Sequence, residues 1–279
     1  MSDATLPLPP AGPAGGATGN ARGIAGFLAV RARVVHALIL REMQTRFGRH
    51  NVGFVWLFIE PLMLGTVIGS MHAASKHNMP SGLDPFYFTL IGYMPYFMFR
   101  AIVGRSGSAM QANLTLLFHK QVTPLDIVLA RNLLEAGAIL GVIILIIGIG
   151  SWVQWDAPAD IGLVILALSM AFLFANGLAM SVAALSARFE GGDRLVAPFT
   201  YFMLPISATF YALDWLPPEF RNILIWNPLV HPHEAIRDGI YGSQIHSYAD
   251  LTYFAMWIIG VNLVGAAALR TARRKLSIF

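Results

Sequence analysis

The sequence predicts an all-α integral membrane protein. It comprises six transmembrane helices, an amphipathic N-terminal helix, an amphipathic cytoplasmic connector and an outer pair of short re-entrant helices. Three observations carry this. Only 12% of residues are charged and 56% are hydrophobic, whereas a soluble domain carries about a quarter charged residues. Apolar runs of membrane length recur along the chain; each needs roughly 20 residues, fewer where flanking side chains snorkel. Lysine and arginine fall almost entirely on alternate connections. With a cytoplasmic N-terminus, sixteen of them lie inside and only Lys76, Arg221 and Arg237 outside. That is the positive-inside pattern, so the net charge of +4 is no nucleic-acid footprint.

Taken in order, residues 1–21 are rich in Pro, Gly and Ala and read as a disordered cytoplasmic tail without a signal-peptide core. Residues 22–279 form one membrane domain. From Ile24 to Phe47, apolar side chains recur at helical spacing while Arg22, Arg31, Arg33 and Arg41 mostly avoid that face, giving an interfacial helix. The spans read as Val52–Met71, Phe86–Val103, Leu133–Val153, Ile161–Ala187, Leu195–Leu213 and Leu251–Leu269. Gly65 and Gly69, Gly137 and Gly141, and Ala171, Ala175, Ala179 and Ala183 are spaced for close helix packing, which most often serves helices of one subunit.

Between the second and third spans, Arg105–Arg131 places Met110, Leu114, Leu117 and Phe118 at helical spacing. This amphipathic helix is either a surface-lying connector or a docking element. Pro124 stops it and Asp126 helps start the next helix. Across the outer loop, Pro217-Pro218 opens one short helix, Asn227-Pro228 ends it, and Pro232–Tyr241 forms a second. Neither helix is long enough to span, so the pair reads as a re-entrant or interfacial hairpin.

The chain carries no phosphate-binding G-x-x-x-x-G-K-[ST], no H-E-x-x-H, no G-x-S-x-G and no cysteine. His231 and His233 read as hydrogen-bonding groups at a helix start rather than a metal pair. Glu60 is the main intramembrane acid, expected to pair with a basic group or to cap backbone beside Pro61; Glu135 lies where water or Arg131 reaches it. Tyr93, Tyr96 and Tyr201 sit nearer mid-span than most aromatics, and a buried hydroxyl needs a partner. Such rings also suit sugars, stacking on C–H faces and bonding edge hydroxyls. His231, Glu234 and Arg237 share one face of an apolar helix, where Glu234 and Arg237 can pair at i,i+3. On that reading Glu234→Ala impairs function more than it lowers protein level.

Two motifs are specific. One comprises Leu40, Arg41, Glu42, Thr45, Arg46, Phe47, Gly48, Gly53, Trp56, Glu60 and Pro61. The other runs from Trp226 to His231 and continues through Glu234 and Arg237. With six spans, they resemble the membrane subunit of type-2 ABC exporters, closest to the capsular-polysaccharide export permeases of Gram-negative bacteria. The resemblance covers about Val35 to Arg273. It implies a homodimer in the inner (plasma) membrane, with both termini cytoplasmic, joined to two ATP-binding subunits that hold ATP and Mg; the chain itself holds no cofactor. It further implies periplasmic and outer-membrane export partners and a lipid-linked polysaccharide passing between the two permeases. The N-terminal helix becomes a gate helix and the connector a coupling helix. Arg41, Glu42, Arg46, Phe47, Gln111, Phe118, His119 and Lys120 would contact the ATPase. Trp56, Glu60, Tyr93, Tyr96, Tyr201 and Phe202 would face the channel, and Asn227, Pro228, His231, Glu234 and Arg237 would shape the outer hairpin.

O-antigen exporters share the architecture, and teichoic-acid exporters are more distant. A membrane-embedded glycan enzyme would need a convergent acid or histidine cluster, and a proton-coupled transporter would need paired intramembrane ionisable groups; the sequence offers neither.

Overall fold

A computed structural model describes residues 19–47, 52–74, 82–117, 122–153, 158–189 and 191–276. All regular structure among these residues is helical. The helices are α1 (Gly19–Phe47), α2 (Val52–Ala74), α3 (Pro85–Ser106), α4 (Leu114–Leu117), α5 (Pro124–Trp152), α6 (Ile161–Ser186), α7 (Val196–Ile206), α8 (Pro218–Leu224), α9 (Val230–Tyr241) and α10 (Leu251–Leu276). Among the described residues, four segments are long and apolar enough to cross a membrane: Pro85–Ser106, Pro124–Trp152, Ile161–Ser186 and Leu251–Ala272. The apolar part of α2 is shorter, Phe58–Ala74.

Local chemistry sets the helix starts. Asp84 accepts from the Tyr87 N–H at 2.7 Å just before Pro85. At α5, Thr123 and Asp126 form a capping box, each side chain taking a backbone N–H of the other. Asp126 thus starts the helix as its position suggested, although α5 begins nine residues before the predicted Leu133. Asp160 caps α6 through the Leu163 N–H.

The centre of the bundle is α3, buried on nearly every side between α2, α5 and α6. Gly65 and Gly69 of α2 make this possible. A Cβ at Gly65 would stand 2.8 Å from Leu90 Cδ2, and one at Gly69 would stand 2.9 Å from Phe86 Cδ2. Helices α6 and α10 approach through Gly177 and Gly265, where added Cβ atoms would lie 2.6 Å from Val261 Cγ2 and from the Gly177 carbonyl oxygen. Along this seam runs an amide ladder: Asn132 Nδ2 donates to Asn176 Oδ1 at 2.9 Å, and Asn176 Nδ2 to Asn262 Oδ1 at 3.3 Å. It joins α5, α6 and α10 within apolar surroundings.

Two predicted elements differ. In the connector's described part, α3 ends at Ser106, a turn follows, a 3-10 turn covers Gln111–Asn113 and α4 covers Leu114–Leu117; Phe118 and Lys120 of the expected helix lie outside the described residues. Gly107 opens this turn and packs so close to Asp193 that a Cβ would lie 2.6 Å from Asp193 Cβ. The Leu195–Leu213 span is only partly helical. Helix α7 stops at Ile206, after Pro205, and Ala208 adopts a left-handed φ of 58°. The chain nevertheless passes from one end of the bundle to the other here, from Asp193 beside Gly107 to Tyr211 beside Arg237. The proposed tail, residues 1–21, lies almost wholly outside the described residues; α1 begins at Gly19.

Candidate functional site

The backbone between α7 and α8 is irregular, and such backbone inside an apolar bundle must find hydrogen-bond partners. The second motif supplies them. Asn227 Nδ2 donates to the Ile206 carbonyl at 2.8 Å. Arg237 Nη2 and Nη1 donate to the carbonyls of Thr209 at 2.7 Å and Tyr211 at 2.8 Å. Glu234 accepts from the N–H groups of Leu213 at 3.1 Å and Tyr248 at 3.3 Å. His231 binds the Ile225 carbonyl at 3.0 Å through Nε2 and accepts the Asp250 N–H at 3.1 Å through Nδ1. The polar residues of the motif therefore hold the loop 206–213, the end of α8 and the entry to α10 onto one helix, α9.

Glu234 and Arg237 are each 1% exposed and pair at 3.7 Å. Burial pushes the Glu234 carboxyl up, while Arg237 and the two N–H donors pull it down. Burial depresses the Arg237 guanidinium and Glu234 supports it; an arginine keeps its charge in either case. Its guanidinium carbon also sits 4.5 Å from the centroid of the Phe88 ring. Gly92 admits the group, since a Cβ there would overlap the Thr209 oxygen and stand 2.5 Å from Arg237 Nη2. His233 is 2% exposed and gives Nδ1 to the Leu229 carbonyl at 2.6 Å. Its pKa is lowered to about 3, first by burial and then by Arg237. Both histidines thus bond backbone at the start of α9, as their spacing suggested. Arg221 completes the clamp, donating to the Leu213 and Leu216 carbonyls and to the Tyr248 hydroxyl at 2.5 Å.

A second cluster lies at the opposite end of the bundle, where α1 is tied to the core by charge. Arg31 reaches Asp126 at 2.5 Å and Glu42 reaches Arg131 at 3.1 Å, both linking α1 to α5. Arg41 Nη1 donates to Asn113 Oδ1 at 2.6 Å, linking α1 to the turn after α3. Arg105 on α3 bridges Glu60 on α2 at 3.7 Å and Glu135 on α5 at 3.0 Å. Glu60 pairs with a base, one of the two arrangements expected of it. Glu135 is held by Arg105 rather than by Arg131, whose Nε faces Glu42 instead. The Glu60–Arg105 contact is over a third exposed on both sides and adds little stability.

The sequence-derived ATPase-contact set divides. Gln111 is exposed. Arg41 and Glu42 are half-buried and engaged within the subunit. Arg46 and Phe47 close α1, but their side chains, like Phe118, His119 and Lys120, lie outside the described residues. In the channel set, Trp56, Tyr201 and Phe202 are 57%, 55% and 65% exposed. Tyr93 and Tyr96 are instead inside the subunit. Tyr93 stacks on Phe210 with centroids 6.1 Å apart, and the Tyr96 hydroxyl donates to the Thr200 carbonyl. Sequence reading missed Arg100, which lies 4.4 Å from the Tyr201 ring centroid and donates to its hydroxyl at 2.6 Å. It also overlooked Arg221, Asp126 and Asn113 as joints. A charged or amide side chain flanking an apolar run was the available signal.

The family described as ABC-2 type transporter matches residues 33–241. The chain is 32% identical over 244 residues to the capsule polysaccharide export inner-membrane protein BexB of Haemophilus influenzae, covering 87% of this chain and 92% of that protein. It is 34% identical over 244 residues to the capsule polysaccharide export inner-membrane protein CtrC of Neisseria meningitidis serogroup B, covering 86% and 91%. It is 30% identical over 249 residues to the polysialic acid transport protein KpsM of Escherichia coli, covering 87% and 94%.

Proposed function

The chain belongs to the ABC-2 type transporter family, and from that premise we propose that it is the inner-membrane permease of an ATP-driven exporter of capsular polysaccharide. The observation that carries the reading is similarity at about a third identity along nearly the whole length of capsule-export permeases.

The finer account extends this. The permease acts as a homodimer with two ATP-binding subunits, which hold ATP and Mg. Its termini and the α1 end of the bundle face the cytoplasm, in keeping with the charge bias. Six crossings are made by α2, α3, α5, α6, the α7–loop segment and α10. Movement of the ATPase enters through α1 and the Gln111–Leu117 segment. It passes to α5 through Arg31–Asp126 and Glu42–Arg131, and to α2 through Arg105 and Glu60. Helices α8 and α9 form the outer re-entrant pair. The exposed faces of Trp56, Tyr201 and Phe202 offer stacking surfaces for sugar rings, with Arg100 beside them. Periplasmic and outer-membrane proteins receive the chain, which is carried on a lipid.

The test is ATP hydrolysis. The purified permease alone hydrolyses no ATP, and activity appears when an ATP-binding cassette subunit co-purifies. Hydrolysis that persists in the permease alone after stringent purification would sink the reading.

A further inference from the structure

We propose that the seam between α6 and α10 binds one anionic phospholipid, with an acyl chain in an apolar groove and the phosphate against the basic end of α10. The groove has a volume of about 470 Å³ and is lined by Leu178 and Ser181 of α6 and by Trp257, Gly260, Val261 and Val264 of α10. A Cβ added at Gly260 would meet nothing within 4 Å, so the groove is open there. The Ser181 hydroxyl already donates to the Gly177 carbonyl at 3.1 Å, which leaves the lining apolar.

The register of α10 leads this groove to charge. Trp257, Gly260, Val264, Ala267, Thr271 and Lys275 recur every three or four residues and share one stripe of the helix, with position 274 at its edge. Arg188, just past the end of α6, donates through Nη2 to the Thr271 hydroxyl and so stands at the same level. From Thr271 back to Gly260 is about 16 Å along the helix. That is about half of a hydrocarbon core of roughly 30 Å, the depth of one leaflet. A lipid with its phosphate level with Thr271 and Lys275 therefore reaches the groove with its acyl chain.

The charge at this mouth does not cancel. Arg188, Arg194, Arg270, Arg273, Arg274 and Lys275 face Glu190 and Asp193, six against two, a surplus of +4. A carboxylate at Phe279 would still leave +3. The other acids of the described residues at this end, Glu42, Glu60, Asp126 and Glu135, already face Arg31, Arg105 and Arg131, with Arg33 and Arg41 beside them. None remains to neutralise the end of α10. Basic clusters at the cytoplasmic end of a membrane helix attract anionic headgroups. Water and free ions screen such charge but gain nothing from a groove of hydrocarbon. A phospholipid satisfies both parts. The inference uses the orientation proposed above, which sets this end in the inner leaflet, and not the identity of the exported polymer.

The experiment uses the full chain in detergent, with phosphatidylglycerol or phosphatidylcholine of equal chain length added back. Native mass spectrometry reads retained lipid, and thermal unfolding is followed in parallel. Detergent leaves both ends of the bundle accessible, so the result stands apart from the proposed orientation and from the transport reading. Wild type should hold phosphatidylglycerol at least tenfold more tightly than phosphatidylcholine and unfold several degrees higher with it. Arg274→Gln/Lys275→Gln should weaken phosphatidylglycerol about thirtyfold and leave phosphatidylcholine unchanged. Gly260→Leu fills the groove without altering charge and should weaken both lipids about tenfold, while its lipid-free unfolding temperature stays that of wild type. Equal affinity of wild type for the two lipids overturns the proposal, as does wild-type binding in either variant. If inorganic phosphate raises the unfolding temperature as much as phosphatidylglycerol, the groove plays no part and the lipid assignment is wrong. If wild type binds neither lipid and Arg274→Gln/Lys275→Gln lowers capture of an ATP-binding cassette subunit, the basic end is a protein contact and the lipid assignment is again wrong.

Discussion

Replacing Arg237 with Met tests the account of the outer clamp. The side chain is 1% exposed and holds the Thr209 and Tyr211 carbonyls and the Glu234 carboxylate. Its removal leaves Glu234 buried without a counter-charge, and breaking a buried pair from one side costs about 3–5 kcal/mol. Two loop carbonyls lose their donors at about 1–3 kcal/mol each, a cost that overlaps with the first because the groups are neighbours. A loss of at least about 4 kcal/mol follows, against a typical total of about 5–15 kcal/mol. For a chain of this size it corresponds to a fall of order 10 °C in melting temperature. Sequence alone suggested that Glu234→Ala would harm transport more than protein level; full burial of the pair moves the expected loss to level and stability. The double variant Glu234→Gln/Arg237→Met should cost less than the sum of the single changes by about 1.5 kcal/mol or more, because it leaves no lone buried charge. The assay is thermal unfolding of detergent-purified protein, with membrane-inserted amount measured in parallel. An Arg237→Met protein of wild-type amount and melting temperature would refute the clamp.

Two further outcomes follow from the packing and the histidines. Gly177→Val should split α6 from α10 and cost several kcal/mol, since its first added carbon would lie 2.6 Å from Val261 Cγ2 and 2.8 Å from the Asn262 backbone nitrogen; Ala at Gly148, which has open space around it, should leave folding almost unchanged. His231 and His233 are both held below the ordinary 6.5, and His233 at about 3. Below pH 6.5 the unfolded chain therefore binds more protons than the folded one, for His233 down to about pH 3. Stability from these groups is complete above pH 6.5 and declines as pH falls below it, for His233 by up to about 1.4 kcal/mol per unit down to about pH 3. His233→Gln should flatten the slope of melting temperature against pH in that window, and an unchanged slope would remove His233 from the account.

Membrane character and most helix ends were legible because each rests on local signals. Asp126 stands where a helix start was expected, and Pro218 and Asn227 bracket α8. The i,i+3 pairing of Glu234 and Arg237 was also readable. Its backbone partners at Thr209, Tyr211 and Leu213 were not, because they lie more than twenty residues away and are carbonyls and an N–H that carry no residue signature. For the same reason a uniformly apolar Leu195–Leu213 concealed its break. Periodicity does not register a left-handed Ala208 that tertiary contacts impose. Arg105 was counted as one more inside charge, whereas its reach to both Glu60 and Glu135 depends on how α2, α3 and α5 pack.

The central claim, that the chain is the permease for an exported capsular polysaccharide, is tested most directly by deleting its gene and locating the polymer. The account predicts polysaccharide inside the cell and none at the surface, with surface display restored by the wild-type chain but not by Arg237→Met at equal transcript level. Surface polysaccharide of normal amount in the deletion strain would contradict it.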